Sequence, residues 1–143
     1  MITNIGGEAF WDCSGLKTVT ICGGETSFSN SAFWGCKNVK KLVFAEGCTK
    51  TMHTGLVNIT SVEIANTVTC IGEKTFEDCE QLQSVTIPSS VTSIGDEAFL
   101  RCSKLTSINI PDGVTHIERN AFWNFSSNIW SLTQFALTTK LPS

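Results

Sequence analysis

One nine-residue phrase recurs along this chain, most legibly as Val91-Thr-Ser-Ile-Gly-Asp-Glu-Ala-Phe99 and Val114-Thr-His-Ile-Glu-Arg-Asn-Ala-Phe122. Its anchoring aromatic or leucine falls at Phe10, Phe33, Leu56, Phe76, Phe99 and Phe122, in steps of 23, 23, 20, 23 and 23 residues. A unit this short cannot bury its own apolar face and has to stack on its neighbours, so the period dictates a solenoid. At 143 residues the chain is a single repeat domain, residues 1–143, with a degenerate unit or cap at 126–143.

Within a unit, three parts are distinguishable. Val91 and Ile94 lead into Gly95, which suits a tight bend. Ala98, Phe99 and Cys102 have the one- and three-residue spacing that gives a short helical turn one apolar face. Leu105 then leads into Ile108-Asn109-Ile110, an alternation that fits a half-buried strand ended by Pro111 and Gly113. In the other copies the strand core is Leu16, Val19, Ile21; Val39, Leu42, Phe44; Ile59, Val62, Ile64; and Leu82, Val85, Ile87. The expectation is an α/β solenoid with one parallel β-sheet along one face and short helical turns opposite.

The pattern Ile-Gly-x-x-Ala-Phe-x-x-Cys-x-x-Leu-x-x-Val-x-Ile-Pro-x-x-Val-x-x-Ile resembles the BspA-like class of leucine-rich repeats. Residues 71–117 match it most closely and the resemblance covers roughly 2–125. Proteins of this class occur on anaerobic bacteria and parasitic protists, many at the cell surface. The resemblance implies a non-catalytic adhesion module of a longer surface or secreted protein, binding a protein or glycoprotein of a host or matrix. The alternative is a cytoplasmic interaction scaffold, which an unseen signal segment and seven cysteines would suit. Met1 is followed at once by Ile2-Thr-Asn-Ile5-Gly, so the chain starts inside a repeat. That predicts an incompletely covered first coil and self-association through the N-terminal end.

Two departures stand out. The third unit is three residues short, lacks the cysteine and has Gly55-Leu56 in place of Ala-Phe, so a thinner and looser coil without its turn is expected at 45–58. Past Phe125 the register fails, although Ile129, Trp130, Leu132, Phe135 and Leu137 keep the segment apolar, as a cap would be.

Little in the sequence points to a reaction. Cys13, Cys36, Cys79 and Cys102 share one repeat position beside Ala and Phe and are expected to be packed, reduced and inaccessible, with Cys48 in the same core. Cys22 and Cys70 fall outside those positions. No pair has zinc-finger spacing, and His53 and His116 are the two histidines, so no metal, cofactor or catalytic site is expected. A net charge of −3 leaves no broad field for nucleic acid, and no apolar run is long enough to insert in a membrane. Lys37, Lys40 and Lys41 form a small basic spot.

Two surfaces remain as binding candidates. The outward strand positions are Thr18, Thr20, Lys41, Val43, Ser61, Glu63, Ser84, Thr86, Ser107 and Asn109, on the sheet that lines the docking side of most leucine-rich repeats. The position after the anchoring phenylalanine holds Trp11, Trp34, Leu100 and Trp123, an apolar stripe on the turn side. Asn58 and Asn124 begin glycosylation-type tripeptides that matter only in a secreted eukaryotic protein.

Overall fold

The computed structural model describes residues 2–23 and 26–123. The chain winds as a coil whose side chains meet along a continuous apolar axis. The broadest face carries the strands foreseen from the alternating pattern: β2 (Thr18–Ile21), β4 (Lys41–Phe44), β5 (Ser61–Ile64), β7 (Ser84–Thr86) and β9 (Ser107–Asn109). All pair in parallel, with Thr18 opposite Lys41 opposite Ser61 and Val85 opposite Ile108. Leu42, Phe44 and Val85 point inward and are buried, while Thr18, Thr20, Ser84 and Thr86 point out. The ladder is not continuous. It runs β2-β4-β5 and β7-β9, with β5 and β7 side by side but unpaired.

The Val-x-x-Ile segments are strands rather than mere bends. β1 (Asn4–Ile5), β3 (Ser27–Phe28), β6 (Cys70–Ile71), β8 (Ser93–Ile94) and β10 (His116–Ile117) form a second narrow parallel face, as β1-β3 and β6-β8-β10. The coil therefore has two strand faces where one was expected.

The third face corrects the expectation of helical turns: among the described residues there is no helix. The three-residue spacing of Ala, Phe and Cys is equally that of chained reverse turns, and the hydrogen bonds decide between the two. Ala98 N–H reaches the Gly95 carbonyl, Leu100 N–H that of Glu97, and Cys102 N–H that of Phe99. Between these, alternate N–H groups leave the coil altogether. Phe76 N–H donates to Ala98 and Phe99 N–H to Ala121, each at 2.8 Å. A donor spent on the next coil cannot close an i→i−4 bond, so the helix is forgone. Among the described residues six non-glycine residues have positive φ, including Lys74 (55°), Asp78 (61°), Glu97 (53°) and Arg101 (57°). Asp12, Lys74, Asp78, Glu97 and Arg101 stand third in hydrogen-bonded turns, where type II geometry demands positive φ.

Phenylalanines stack along the axis. Phe76 and Phe99 rings lie 5.2 Å apart, Phe99 and Phe122 5.3 Å, and Phe10 and Phe33 5.0 Å. Leu56 interrupts this column, and Phe44 turns its edge to Phe76 from the strand face at 6.4 Å.

The short third unit loses its turns, as its sequence suggests, but it is not loose. Cys48, Thr51, Thr54, Leu56 and Ile59 are all buried. Thr51 occupies the column of Ile71 and Ile94, and its hydroxyl is satisfied there. It accepts from Gly72 N–H at 3.0 Å and donates to the Thr75 hydroxyl at 2.9 Å, which donates in turn to the Gly72 carbonyl at 2.7 Å. A closed network of this kind lets a polar side chain sit in the core without the cost of an unmet donor. The proposed cap at 126–143 lies outside the described residues.

Candidate functional site

Cysteine is the residue type with the most chemical potential here, and the fold disarms most of it. Cys36, Cys48, Cys79 and Cys102 are buried. Each thiol points to a carbonyl of the coil before it: Cys36 to Phe10 at 2.9 Å, Cys48 to Ile21 at 3.1 Å, Cys79 to Leu56 at 3.5 Å and Cys102 to Phe76 at 3.1 Å. At Cys36, Cys79 and Cys102 the repeat position is thus a weak donor onto the anchor residue of the preceding coil, in addition to a small apolar filler. The spacing to the earlier anchor is 26 residues at Cys36 and Cys102 and 23 at Cys79, across the short third unit, and packing alone is enough to account for a small residue there. Burial pushes the Cys102 thiol up to about 12 and raises Cys79 well above its ordinary value, so neither forms a thiolate near neutrality.

Cys13 departs from the expectation that all four column members are inaccessible. It is exposed, because no earlier coil stands over it among the described residues. Brief alkylation of the native protein is therefore expected to modify Cys13 and Cys22 first and partly exposed Cys70 later. Cys36, Cys48, Cys79 and Cys102 should react only in denaturant. Peptide mapping by mass spectrometry reads this, and rapid native labelling of Cys102 would place the column on the wrong face.

No cysteine–histidine dyad forms among the described residues. His53 Nδ1 donates to the Lys74 carbonyl at 2.7 Å, and His53 lines a different groove from Cys70. Cys70 and His116 share a row, Cys70 opposite Ser93 opposite His116, which puts them about 10 Å apart at two strand spacings. His116 Nε2 is instead 2.7 Å from Glu118. Among the described residues no group of three histidine, cysteine or acidic side chains is placed to hold a metal ion. No described helix is long and apolar enough to cross a membrane.

The strand-face candidates lie where the alternation put them. Thr18, Thr20, Ser61, Glu63, Ser84, Thr86 and Asn109 are exposed or partly so, and Lys41 and Val43 half-buried. Ser107 stands in register with Ser84, and its side chain is outside the described residues. Lys41 spends its charge on Glu63 at 2.5 Å, so this face offers mainly hydroxyls.

The turn-side stripe is different in kind. Trp11, Trp34 and Trp123 are 64%, 65% and 63% exposed, so their rings do not fold down over neighbouring turns. Asp12 N–H donates to the Trp34 carbonyl, which sets the Trp11 and Trp34 turns side by side, and exposed Val57 follows in the third coil. Leu100 is a correction: it is buried at 4% exposure and is not part of the surface. A leucine here is short enough to be covered by longer side chains on adjacent turns, which an indole is not.

Charge on this side is unevenly settled. In the later coils Arg101 grips Asp78 through two bonds (2.5 and 3.1 Å) and approaches Glu77 at 3.6 Å, while Lys74 meets Glu97 at 3.4 Å. The Arg101 hydrogen bond holds the Asp78 carboxyl below its usual range. Among the described residues no such pairing involves Lys17, Lys37 or Lys40, all exposed in the early coils.

Two concavities lie near these tryptophans. At the N-terminal end a groove of about 500 Å³ is lined by Ile2, Ile5, Phe10, Leu16, Val19 and Phe28 among others, and Ile2 and Phe10 are exposed there. Between the second and third coils a notch of about 260 Å³ is lined by Asn30, Phe33, Trp34, Lys37, Leu56, Val57 and Asn58, with Gly35, Cys36 and Gly55 in its backbone. Sequence reasoning missed this notch, although the three missing residues that create it were visible.

Comparison with known proteins gives a consistent picture. The family model described as a BspA type leucine rich repeat region matches residues 1–54 and 49–142, in six copies. A leucine-rich repeat protein from Bacteroides ovatus is 27% identical, with a TM-score of 0.64 over 85% of this chain. This chain covers 33% of that protein's length. A leucine rich cell surface protein from Faecalibacterium prausnitzii is 29% identical, with a TM-score of 0.52, over 80% of this chain and 29% of its own. The T. pallidum leucine rich repeat protein shares the fold, with a TM-score of 0.63 at 19% identity over 98% of this chain and 78% of its own. No curated protein matches in sequence.

Proposed function

Because the chain belongs to the BspA-type leucine-rich-repeat family, we propose that it is a non-catalytic adhesion module of a cell-surface or secreted protein. In this reading it binds a protein or glycoprotein of a host or matrix through its tryptophan-bearing turn face. The supporting observation is the exposure of Trp11 and Trp34 on adjacent turns. Two indoles left in water side by side add nothing to the core, and tryptophan is the residue type most enriched among the anchors of protein contacts. The Faecalibacterium prausnitzii relative is named as a cell surface protein, which favours the same location here. The hydroxyl-rich strand face is the secondary contact. The N-terminal groove supports self-association, a smaller part of the same reading.

Binding of the folded protein to immobilised fibronectin, collagen and laminin tests the proposal. Trp11→Ala together with Trp34→Ala should weaken the contact at least about tenfold, as loss of anchor residues does. The melting temperature should hardly move, since both rings are exposed already. Binding that survives this double change but is abolished by Ser61→Arg with Ser84→Arg would move the site to the strand face.

A further inference from the structure

We infer that the notch between the second and third coils is a binding site for an acidic saccharide, with Trp34 as the platform and Lys37 as the charge partner. The inference deepens the adhesion reading and rests on it, because it names the part of a glycosylated partner that this face would take. Three observations converge on it. The first is the origin of the cleft. With three residues deleted and Gly55 at φ +76°, the third coil is drawn in so close to Asn30 that a Cβ at Gly55 would lie 2.6 Å from the Asn30 carbonyl. What remains above Phe33 and Leu56 is a space of about 260 Å³, room for one sugar ring.

The second observation is the mix of groups around it. Its lining residues include Trp34, whose indole is flat and apolar, and Asn30 and Asn58, whose side chains are carboxamides able both to donate and to accept. A pyranose has the same division, an apolar face of C–H groups and an edge of hydroxyls. A peptide's apolar anchor would leave the two amides unmatched.

The third observation is charge. Residues 2–60 hold five lysines, of which Lys41 is paired with Glu63, against four acidic residues, whereas residues 61–123 hold four basic side chains against nine acidic ones. Lys37 lines the notch and has no ion-pair partner among the described residues, whereas Arg101 and Lys74 in the later coils are committed to carboxylates. The Lys17 carbonyl accepts from Lys40 N–H at 3.0 Å, so these two lysines are neighbours on successive coils. Asp12 packs against Gly35 from the first coil and does not line the notch. A ligand carrying carboxylate or sulfate therefore finds complementary charge here, and would be repelled by the acidic later coils.

Isothermal titration calorimetry of the full chain tests this with a heparin-derived hexasaccharide, its fully desulfated counterpart and sialyllactose. The expected result is saturable binding of the sulfated hexasaccharide or of sialyllactose, which tells sulfate from carboxylate, and far weaker binding of the desulfated one. Trp34→Ala and Lys37→Gln should each weaken binding at least about tenfold. Lys104→Gln, an exposed lysine of the later coils outside both candidate surfaces, should leave it unchanged. Undiminished binding by Trp34→Ala would reduce the effect to lysines attracting any polyanion and overturn the proposal, as would equal displacement by a polyglutamate peptide or no binding at all. Enzymatically deglycosylated matrix proteins separate the two levels of the argument. If they still bind wild type and not the double tryptophan variant, adhesion stands and the saccharide site falls.

Discussion

Phe99→Ala is expected to destabilise the fold by about 3–5 kcal/mol in urea or thermal unfolding, the range for removing a fully buried aromatic. The ring has no solvent exposure and is held between Phe76 at 5.2 Å and Phe122 at 5.3 Å. Truncation removes buried apolar area and two ring contacts at once, and the surroundings cannot collapse to fill the gap. Phe76 N–H and Phe99 N–H are each tied to a neighbouring coil by 2.8 Å bonds, so the backbone spacing is fixed from both sides. Faster amide exchange should therefore spread to the turns around residues 76 and 122. The comparison is Thr86→Ala on the outward strand face, where a change within about 0.5 kcal/mol is expected because the side chain is exposed. Equal costs at the two positions would mean that the inward and outward positions of the coil are the reverse of those described.

The strand positions were legible in the sequence because alternation at period two fits a half-buried strand and little else. Val19, Ile21, Leu42, Phe44 and Val85 fall inward as their pattern requires. The turn face was less legible. Apolar residues at one- and three-residue spacing serve a helix and a chain of reverse turns equally, and what separates them is where Phe76 and Phe99 send their N–H groups. That is a fact about the neighbouring coil, which a single repeat cannot disclose. The Val-x-x-Ile strands were hidden for a related reason: at two residues each they show no alternation, and only stacking in register makes them a face.

The candidate surfaces divide along the same line. An outward position can be assigned from the repeat, but whether its side chain stays uncovered depends on length and neighbours. Trp34 and Leu100 hold equivalent positions and end up 65% and 4% exposed. Cys13 and Cys102 also hold equivalent positions, and differ because only one has a coil before it among the described residues. Periodicity thus gives direction reliably, and accessibility only together with side-chain length and the presence of a covering coil.

The third coil gives the second large effect. Gly55→Ala should cost about 2–4 kcal/mol, although it adds a single methyl group, because two causes add. At φ +76° an L-residue with a Cβ is disfavoured by roughly 1–2 kcal/mol. The new Cβ would also lie 2.6 Å from the Asn30 carbonyl oxygen and 3.3 Å from its carbon, and both belong to backbone that cannot rotate away as a side chain could. Relief requires the third coil to move off the second, which widens the notch beside Trp34 and strains the buried Thr51–Thr75 network that anchors its other end. Gly15→Ala is the matched control, since that position has open space around it and no positive φ, and a change within about 0.5 kcal/mol is expected. Chemical denaturation of the two variants measures the difference, and amide exchange should show the Gly55 loss concentrated in residues 51–59. A Gly55→Ala protein as stable as Gly15→Ala would mean that the third coil is not drawn in against Asn30, and the notch would lose its physical origin.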